Sequence, residues 1–430
     1  MLIRFEVANF RSILDPVELS MVAIDQDRTE THHIENLGES LLAVAGVYGA
    51  NASGKSNVVA ALAWLRMAVL RSLVRWEDRI PVEPFAFGTS AESSAAFTIE
   101  AVVEGVRFEY VVELGQDAVS YEALFHYPEK KRRRIFEREG RELRLQRGLG
   151  HLTGTRDLLT DRSLVLSIAR RFNERLVSDF VEQIRNIQVL GLQQIDQLWR
   201  SQLRGTARST QTWFEDPVGR DQLPIAELEY LDDDAFIDRG QALALLQLAD
   251  LGVADVIVED QLMENPASYL AKPQRVRRTR LLHRAGTRRV PLDFESESRG
   301  TRAWFELIGP VLSALKSGSL LVIDELDASL HPSLSEQLIR LFHDPTTNSN
   351  GAQLIFTSHD TSLLNHLNRD EVWLTEKDEN GATRLGALAE FAGERVRRSQ
   401  NLERAYLHGR FGALPDVDRT DMLRALGLIA

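Results

Sequence analysis

The chain of 430 residues contains no cysteine. That excludes disulfides, thiolate metal sites and cysteine nucleophiles, and it fits a reducing compartment. Lysine is scarce too. It stands only at positions 55, 130, 131, 272, 316 and 377, while arginine supplies the other 45 of the 51 basic residues. The bias reads as codon usage of a GC-rich genome, and it makes a lysine at a motif position more informative. No uninterrupted apolar run reaches membrane-spanning length. Arg4 and Glu6 break the apolar N-terminus, which predicts neither a signal peptide nor a membrane helix there. Positive charge is outnumbered, with a formal net charge of −12. Bulk electrostatics therefore do not draw the chain to nucleic acid, and any such contact has to use a local patch. Internal repeats, low-complexity tracts and sustained heptads are missing, which argues against a long coiled coil. What is there, 43% hydrophobic and 27% charged residues, is the composition of a folded protein with a real core. The length suits roughly two to three domains.

Hydrophobic periodicity divides the chain into regions. Ile3, Phe5 and Val7 alternate with Arg4 and Glu6, as a half-buried strand does. Residues 41–47, LLAVAGV, predict a continuous buried strand. GANASGKS follows, and then Val58, Leu62, Leu65, Val69 and Leu73 recur at helical spacing. From 95 to 125 the pattern changes to period two, with turn signals at Glu104-Gly105 and Gly115-Gln116-Asp117, predicting an antiparallel meander. Residues 160–251 read as mainly helical, with Phe180, Ile184 and Ile187 on one face and Leu245, Leu248 and Leu251 on another. Within them, the polar stretch 204–222 reads as a loop. The last third alternates strands (320–323, 354–356, 372–374) with helices (301–316, 334–341), which implies a parallel sheet in an α/β core.

Gly49-Ala50-Asn51-Ala52-Ser53-Gly54-Lys55-Ser56 matches G-x-x-x-x-G-K-S between that strand and that helix. The glycines let backbone N–H groups turn inward around a phosphate, and the helix N-terminus adds its positive end. Lys55 reaches toward β/γ-phosphates, the Ser56 hydroxyl is placed for Mg²⁺, and Asn57 follows in the first turn. A bare glycine-rich turn is the bland alternative, and the flanking strand and helix weigh against it. Leu320–Ile323 ends in Asp324-Glu325. Asp324 can hold Mg²⁺ through water, and Glu325 can orient or deprotonate an attacking water. Many strands end in acids, so context decides. That context is L-D-A-S-L-H-P at 326–332, a strand ending T-S-H-D at 357–360, and E-S-R-G-T at 297–301 opening a helix.

Taken in order, these segments resemble the heads of ABC-type ATPases. The resemblance is strongest to the SMC/RecF/OLD-like branch, and within it to stand-alone prokaryotic AAA-type ATPases related to OLD proteins. I-R-F-x-V-x-N-F-R-S at 3–12 is similar to the opening of those heads. A-D-L-G at 249–252, E-K-D at 376–378 and A-Y-L-x-G-R-F-G-A-L-P at 405–415 extend the match. The resemblance implies an α/β P-loop NTPase of ABC-ATPase-head type, with a mixed or parallel sheet core, an antiparallel β subdomain and a helical insertion. The expected division is an N-terminal lobe at 1–150, an insertion at 151–252 and a C-terminal lobe at 253–430.

It further implies a two-chain ATP site. Mg-ATP lies on Gly49–Ser56, Asp324 and Glu325 of one subunit, Ser298 and Gly300 of a second subunit cap the γ-phosphate, Asp327 couples the two sites, and His359 senses the phosphate. The implied protein is a cytoplasmic ATPase. It dimerises around ATP to drive or gate a separately encoded effector, a nuclease or toxin, in phage defence. Two departures stand out: the signature carries Arg299 where ABC heads have glycine, and Val82-Glu83-Pro84-Phe85, where their lid-loop glutamine falls, has none. No acidic cluster follows Lys377, so no Toprim-type nuclease is expected on this chain.

Two other readings compete. A RecF/SMC-like clamp on DNA favours a long coiled coil or a basic channel. A transporter motor fits poorly with the large segment between Lys55 and Asp324. The basic clusters KKRRR at 130–134 and Arg275–Arg289 read as solvated faces and turns paired with acids, with phosphate-backbone contact as the functional alternative. His32-His33 reads as a loop, with too few neighbouring ligands for a metal.

Overall fold

The computed structural model describes residues 1–25, 28–87, 94–172, 174–192, 209–214, 239–249, 252–263, 274–328, 330–392 and 402–408. An antiparallel sheet of seven strands is formed by β1 (Leu2–Ala8), β2 (Val17–Ser20), β6 (Ala95–Val103), β7 (Val106–Leu114), β8 (Val119–His126), β9 (Arg133–Glu139) and β10 (Glu142–Leu145), in the order β10-β9-β8-β7-β6-β1-β2. The period-two pattern is realised in β7, where Phe108, Tyr110, Val112 and Leu114 are all buried. Glu104 and Gly105, both at positive φ, make the two-residue turn from β6 to β7.

The second sheet has six strands in the order β11-β15-β16-β5-β17-β18, from β5 (Val44–Gly49), β11 (Gln188–Leu190), β15 (Leu320–Ile323), β16 (Gln353–Thr357), β17 (Val372–Lys377) and β18 (Thr383–Ala387). Every pairing in it is parallel except β17 with β18. Its two faces are both covered, as parallel sheets require. Ala45, Val47, Leu320, Val322 and Ile355 point to a core shared with the P-loop helix (Lys55–Arg75) and the antiparallel sheet. Their neighbours Val44, Tyr48, Leu321, Ile323, Leu354 and Phe356 point to a second core, with the helices Arg299–Ser317 and Pro332–His343. By length and composition the P-loop helix is apolar enough to cross a membrane, the one such helix among the described residues. Here 72% of that stretch is buried in the protein.

Several expectations are revised. The run 41–47 is two strands, not one: β4 (Glu39–Leu42) pairs with β3 (Thr31–Ile34), and the chain passes at Ala43 into β5 of the other sheet. His32 and His33 lie in β3, not in a loop, because that strand hydrogen-bonds to β4 and His33 Nδ1 meets Ser40 Oγ at 3.4 Å. The meander runs on to residue 145 and takes in the N-terminal strands. In the helix Arg239–Ala249, Ala242 and Leu246 are buried while Leu248 is 54% exposed, so the apolar face is not the one the leucine spacing suggested. Leu251 lies outside the described residues. Within the expected loop 204–222, the described part holds a short 3-10 helix, Thr210–Trp213, with Trp213 and Phe214 buried. The helix Arg175–Arg185 does bury Phe180 and Ile184. A-D-L-G at 249–252 and residues 409–415 fall wholly or partly outside the described residues.

Candidate nucleotide-binding site

Parallel strands with both faces covered leave one place for a ligand, the loops at their C-terminal ends. Gly49–Ser56 follows β5, Asp324 and Glu325 follow β15, and Ser358 and His359 follow β16. The motifs are far apart in sequence, and the sheet order brings them to one edge.

The loop is fixed by its glycines and by four hydroxyls, those of Ser53, Thr375, Thr383 and Ser12. Gly49 (φ 152°) and Gly54 (φ 109°) have no room for a side chain: a Cβ on Gly49 would overlap Thr375, and one on Gly54 would overlap Thr383. Ser53 Oγ meets Thr375 Oγ1 at 2.6 Å, and Thr375 Oγ1 donates to Tyr48 O at 3.1 Å. Thr383 Oγ1 donates to Ser53 O at 2.9 Å and meets Ser12 Oγ at 2.8 Å. Asn57 Nδ2 donates to Ser12 Oγ at 2.6 Å, so this side chain ties the loop to the N-terminal segment. Ala52 is at φ 62°, and Asn51 and Ala52 are exposed. Gly54 caps the helix without a side-chain hydrogen bond, and while Asn57 N donates to Gly54 O at 3.0 Å, the N–H groups of Lys55 and Ser56 ahead of it are placed for a ligand.

Lys55 is buried at 6% exposure, and its Nζ donates to Gly49 O (3.0 Å) and Ala50 O (3.1 Å). Burial pushes its ammonium below the usual lysine range, while the charges of Asp324, Asp327 and Glu325 act against that shift. The acidic segments therefore face the P-loop lysine within one chain.

Asp324 is held on three sides. Its N–H donates to Leu190 O at 2.9 Å, Oδ1 accepts from Thr357 Oγ1 at 2.7 Å, and Gly191 (φ 83°) packs against its carbonyl so closely that a Cβ there would overlap it. Thr357 Oγ1 also accepts from Glu325 N at 2.8 Å. Glu325 is in the left-handed region (φ 55°), a conformation that costs a non-glycine residue about 1 kcal/mol or more. It stands at the point where the chain leaves the sheet. Asp327 Oδ1 accepts from His359 N at 3.1 Å, linking the acidic turn to the histidine strand. His331 caps the next helix, accepting from Ser333 N at 3.2 Å, with Pro332 at its first position.

The signature segment stands apart. Ser298 is the N-cap of Arg299–Ser317, accepting from Thr301 N at 3.1 Å. Ser298 and Arg299 are exposed, and Gly300 is half-buried. Among the described residues, the hydrogen bonds of Ser298 stay within its own helical turn. Glu297, just before it, is buried and meets His283 Nε2 at 2.8 Å. Of the segment at 82–85, Phe85 N donates to Asn9 Oδ1 and Arg11 pairs with Glu83, so it is docked on the N-terminal motif.

The residues fit Mg-ATP. Among the described residues no group of three or more His, Asp or Glu side chains could hold a metal by itself. A Mg²⁺ held by Ser56, Asp324 and phosphate oxygens needs no such group. Sequence reasoning missed Ser12, Thr357, Thr375, Thr383 and Gly191. Thr357 lay inside a quoted motif, whereas Thr383 and Gly191 carry no local signal. Four arginines of the basic clusters sit in ion pairs: Arg278 with Asp293, Arg280 with Glu259, Arg132 with Glu109 and Arg134 with Glu137.

The family described as "AAA domain, putative AbiEii toxin, Type IV TA system" matches residues 44–365. The chain belongs to that family, and residues 44–365 carry its AAA domain. Solved structures similar to it include the SMC head domain from Thermotoga maritima (14% identity, TM-score 0.38, covering 90% of this chain and 98% of that one). They also include the Smc head domain with an extended coiled coil bound to the C-terminal domain of ScpA from Pyrococcus furiosus (13% identity, TM-score 0.43, covering 90% and 97%). A third is an SmcHead bound to the C-winged helix domain of ScpA, with 13% identity, a TM-score of 0.43 and the same coverage. No curated protein matches the chain.

Proposed function

We propose that this chain binds Mg-ATP on Gly49–Ser56 and hydrolyses it, with two copies closing around the nucleotide to drive or gate a separately encoded effector. The observation that carries the reading is the convergence of Lys55, Asp324, Glu325, Asp327 and His359 on one sheet edge. Bound Mg²⁺ would neutralise charge building on the phosphate oxygens. Lys55 exchanges its bonds to Gly49 O and Ala50 O for phosphate oxygens. Ser56 and Asp324 would hold the metal. Glu325, aimed by its left-handed backbone and by Thr357, orients the water. His359 meets the γ-phosphate, and its bond to Asp327 passes that contact to the turn at the dimer face. Ser298 is exposed and Gly300 half-buried beside it, a placement that suits the site of a second copy.

We assign the chain to the cytoplasm with no membrane partner, and retain the division 1–150, 151–252 and 253–430. The effector, a nuclease or toxin, and a role in phage defence rest on the family resemblance. A clamp on DNA is the second reading, favoured by exposed Arg284, Arg288 and Arg289 at the tip of the hairpin formed by the antiparallel strands Gln274–Ala285 and Arg288–Asp293. ATP-dependent retention on DNA would single it out. The test of the main reading is ATP turnover beside Glu325→Gln. The variant should bind ATP, lose turnover by about 100-fold or more and accumulate as a dimer. Turnover equal to wild type refutes the role of Glu325.

A further inference from the structure

The residue just before the phosphate loop has no part in the scheme above. Tyr48 is 1% exposed, and its ring packs edge-on against Phe356 at 6.2 Å. Its hydroxyl is sealed from solvent and has no hydrogen-bond partner among the described residues. A phenol so placed costs free energy until it finds an acceptor. Asp360, which follows the switch histidine, has the complementary defect. Its Oδ1 accepts from Ser362 N (2.9 Å) and Ser362 Oγ (2.6 Å), while its Oδ2 is buried without a donor.

The two groups share a neighbourhood. Parallel pairing sets β16 beside β5, with Thr357 opposite Val47, and Ser358 N donates to Val47 O at 3.2 Å. Tyr48 and the chain leaving β16 are therefore neighbours. Burial, and then the charges of Asp360 and Asp327, hold the phenol well above its usual range, so it is a proton donor at any physiological pH. The strand carrying Tyr48 is fully buried. Asp360 sits at the start of the 3-10 helix Thr361–His366, directly after exposed His359, where a small shift is possible.

We propose that Tyr48 is a positioning residue for the phosphate switch: its hydroxyl closes onto Asp360 Oδ2 when a nucleoside triphosphate draws His359 toward its terminal phosphate. The closed bond is charge-assisted and dry, so it favours the triphosphate-engaged position of the switch over the diphosphate one. It satisfies two orphaned atoms at once, whereas the open position leaves both without partners. The helix Leu402–Leu407 covers this junction. Glu403 accepts from Asn365 Nδ2 at 2.8 Å, and Tyr406 is the third group raising the Tyr48 phenol.

The proposal rests on the nucleotide-site reading, and one experiment separates the two. Affinities for Mg-ADP and for a Mg-bound non-hydrolysable ATP analogue are measured calorimetrically on the full chain, wild type, Tyr48→Phe, Asp360→Asn and the double variant. Tyr48→Phe should bind the analogue about tenfold more weakly and ADP within twofold of wild type. Its nucleotide-free thermal stability should not fall, since it removes an unpaired hydroxyl. The double variant should bind the analogue no more weakly than either single one. Undiminished analogue binding by Tyr48→Phe, or equal loss for analogue and ADP, overturns the latch and leaves the nucleotide site standing. Failure of wild type to bind either nucleotide refutes the site, and the latch with it.

Discussion

Replacing Thr357 with valine tests whether one hydroxyl organises the acidic end of the site. The side chain is fully buried, and valine keeps its shape. The hydroxyl donates to Asp324 Oδ1 at 2.7 Å and accepts from Glu325 N at 2.8 Å. Thr357→Val leaves an amide and a carboxylate oxygen without partners, at about 1–3 kcal/mol for each buried group. Asp324, at 6% exposure, regains little from solvent, so a loss of about 3 kcal/mol is expected in urea unfolding without nucleotide. Glu325 loses the bond that holds its left-handed backbone, and relaxing that conformation moves its carboxylate. Turnover should fall about 100-fold, the usual scale for a misplaced catalytic group. Thr357→Ser keeps the hydroxyl and drops one methyl, at about 1 kcal/mol, and should retain most turnover. If Thr357→Val is within about 0.5 kcal/mol of wild type and hydrolyses ATP as fast, the hydroxyl does not organise the site.

Gly54→Ala forces a side chain into Thr383 at φ 109° and should weaken ATP binding by about tenfold to 100-fold, read by titration with a fluorescent nucleotide. Gly115→Ala, in open space, should change nothing. Arg138 and Glu122 are both fully buried, with Arg138 also donating to Ser163 O (2.6 Å) and Thr160 O (2.8 Å). Arg138→Leu removes the counter-charge of a carboxylate that Val165 N, Leu166 N and Tyr110 Oη still hold, and leaves Ser163 O and Thr160 O without that donor; it should cost about 3–5 kcal/mol in thermal or chemical unfolding. His32 and His126 are both held below the usual histidine range, first by burial and, for His126, also by Arg133. Their unfolded forms bind protons more readily, so stability is present above pH 6.5 and falls as pH drops from there through the folded values. Replacing both with glutamine should flatten that part of the stability–pH curve; an unchanged slope would assign it to other groups.

The sequence alone determined the local chemistry. A phosphate loop, a strand-terminal acid pair and a period-two meander are each written in contiguous residues, because backbone turns and alternating burial are local constraints. Gly49 to Ser56 and Asp324-Glu325 could be read without knowing what packs on them. The family resemblance then ordered these pieces. Tertiary structure decided the rest, for reasons no window of residues contains. LLAVAGV is uniformly apolar, and only pairing with β3 and with β16 splits it at Ala43. Thr383, 330 residues from Ser53, closes the phosphate loop through one hydroxyl. Gly191 is needed because another strand's Asp324 carbonyl lies against it. The backbone of Glu325 is tied to Thr357 one strand away, since an isolated chain has no reason to hold a glutamate in the left-handed region. Sequence sets which groups are present, and the sheet order, by juxtaposing strand ends distant in the chain, sets which of them meet.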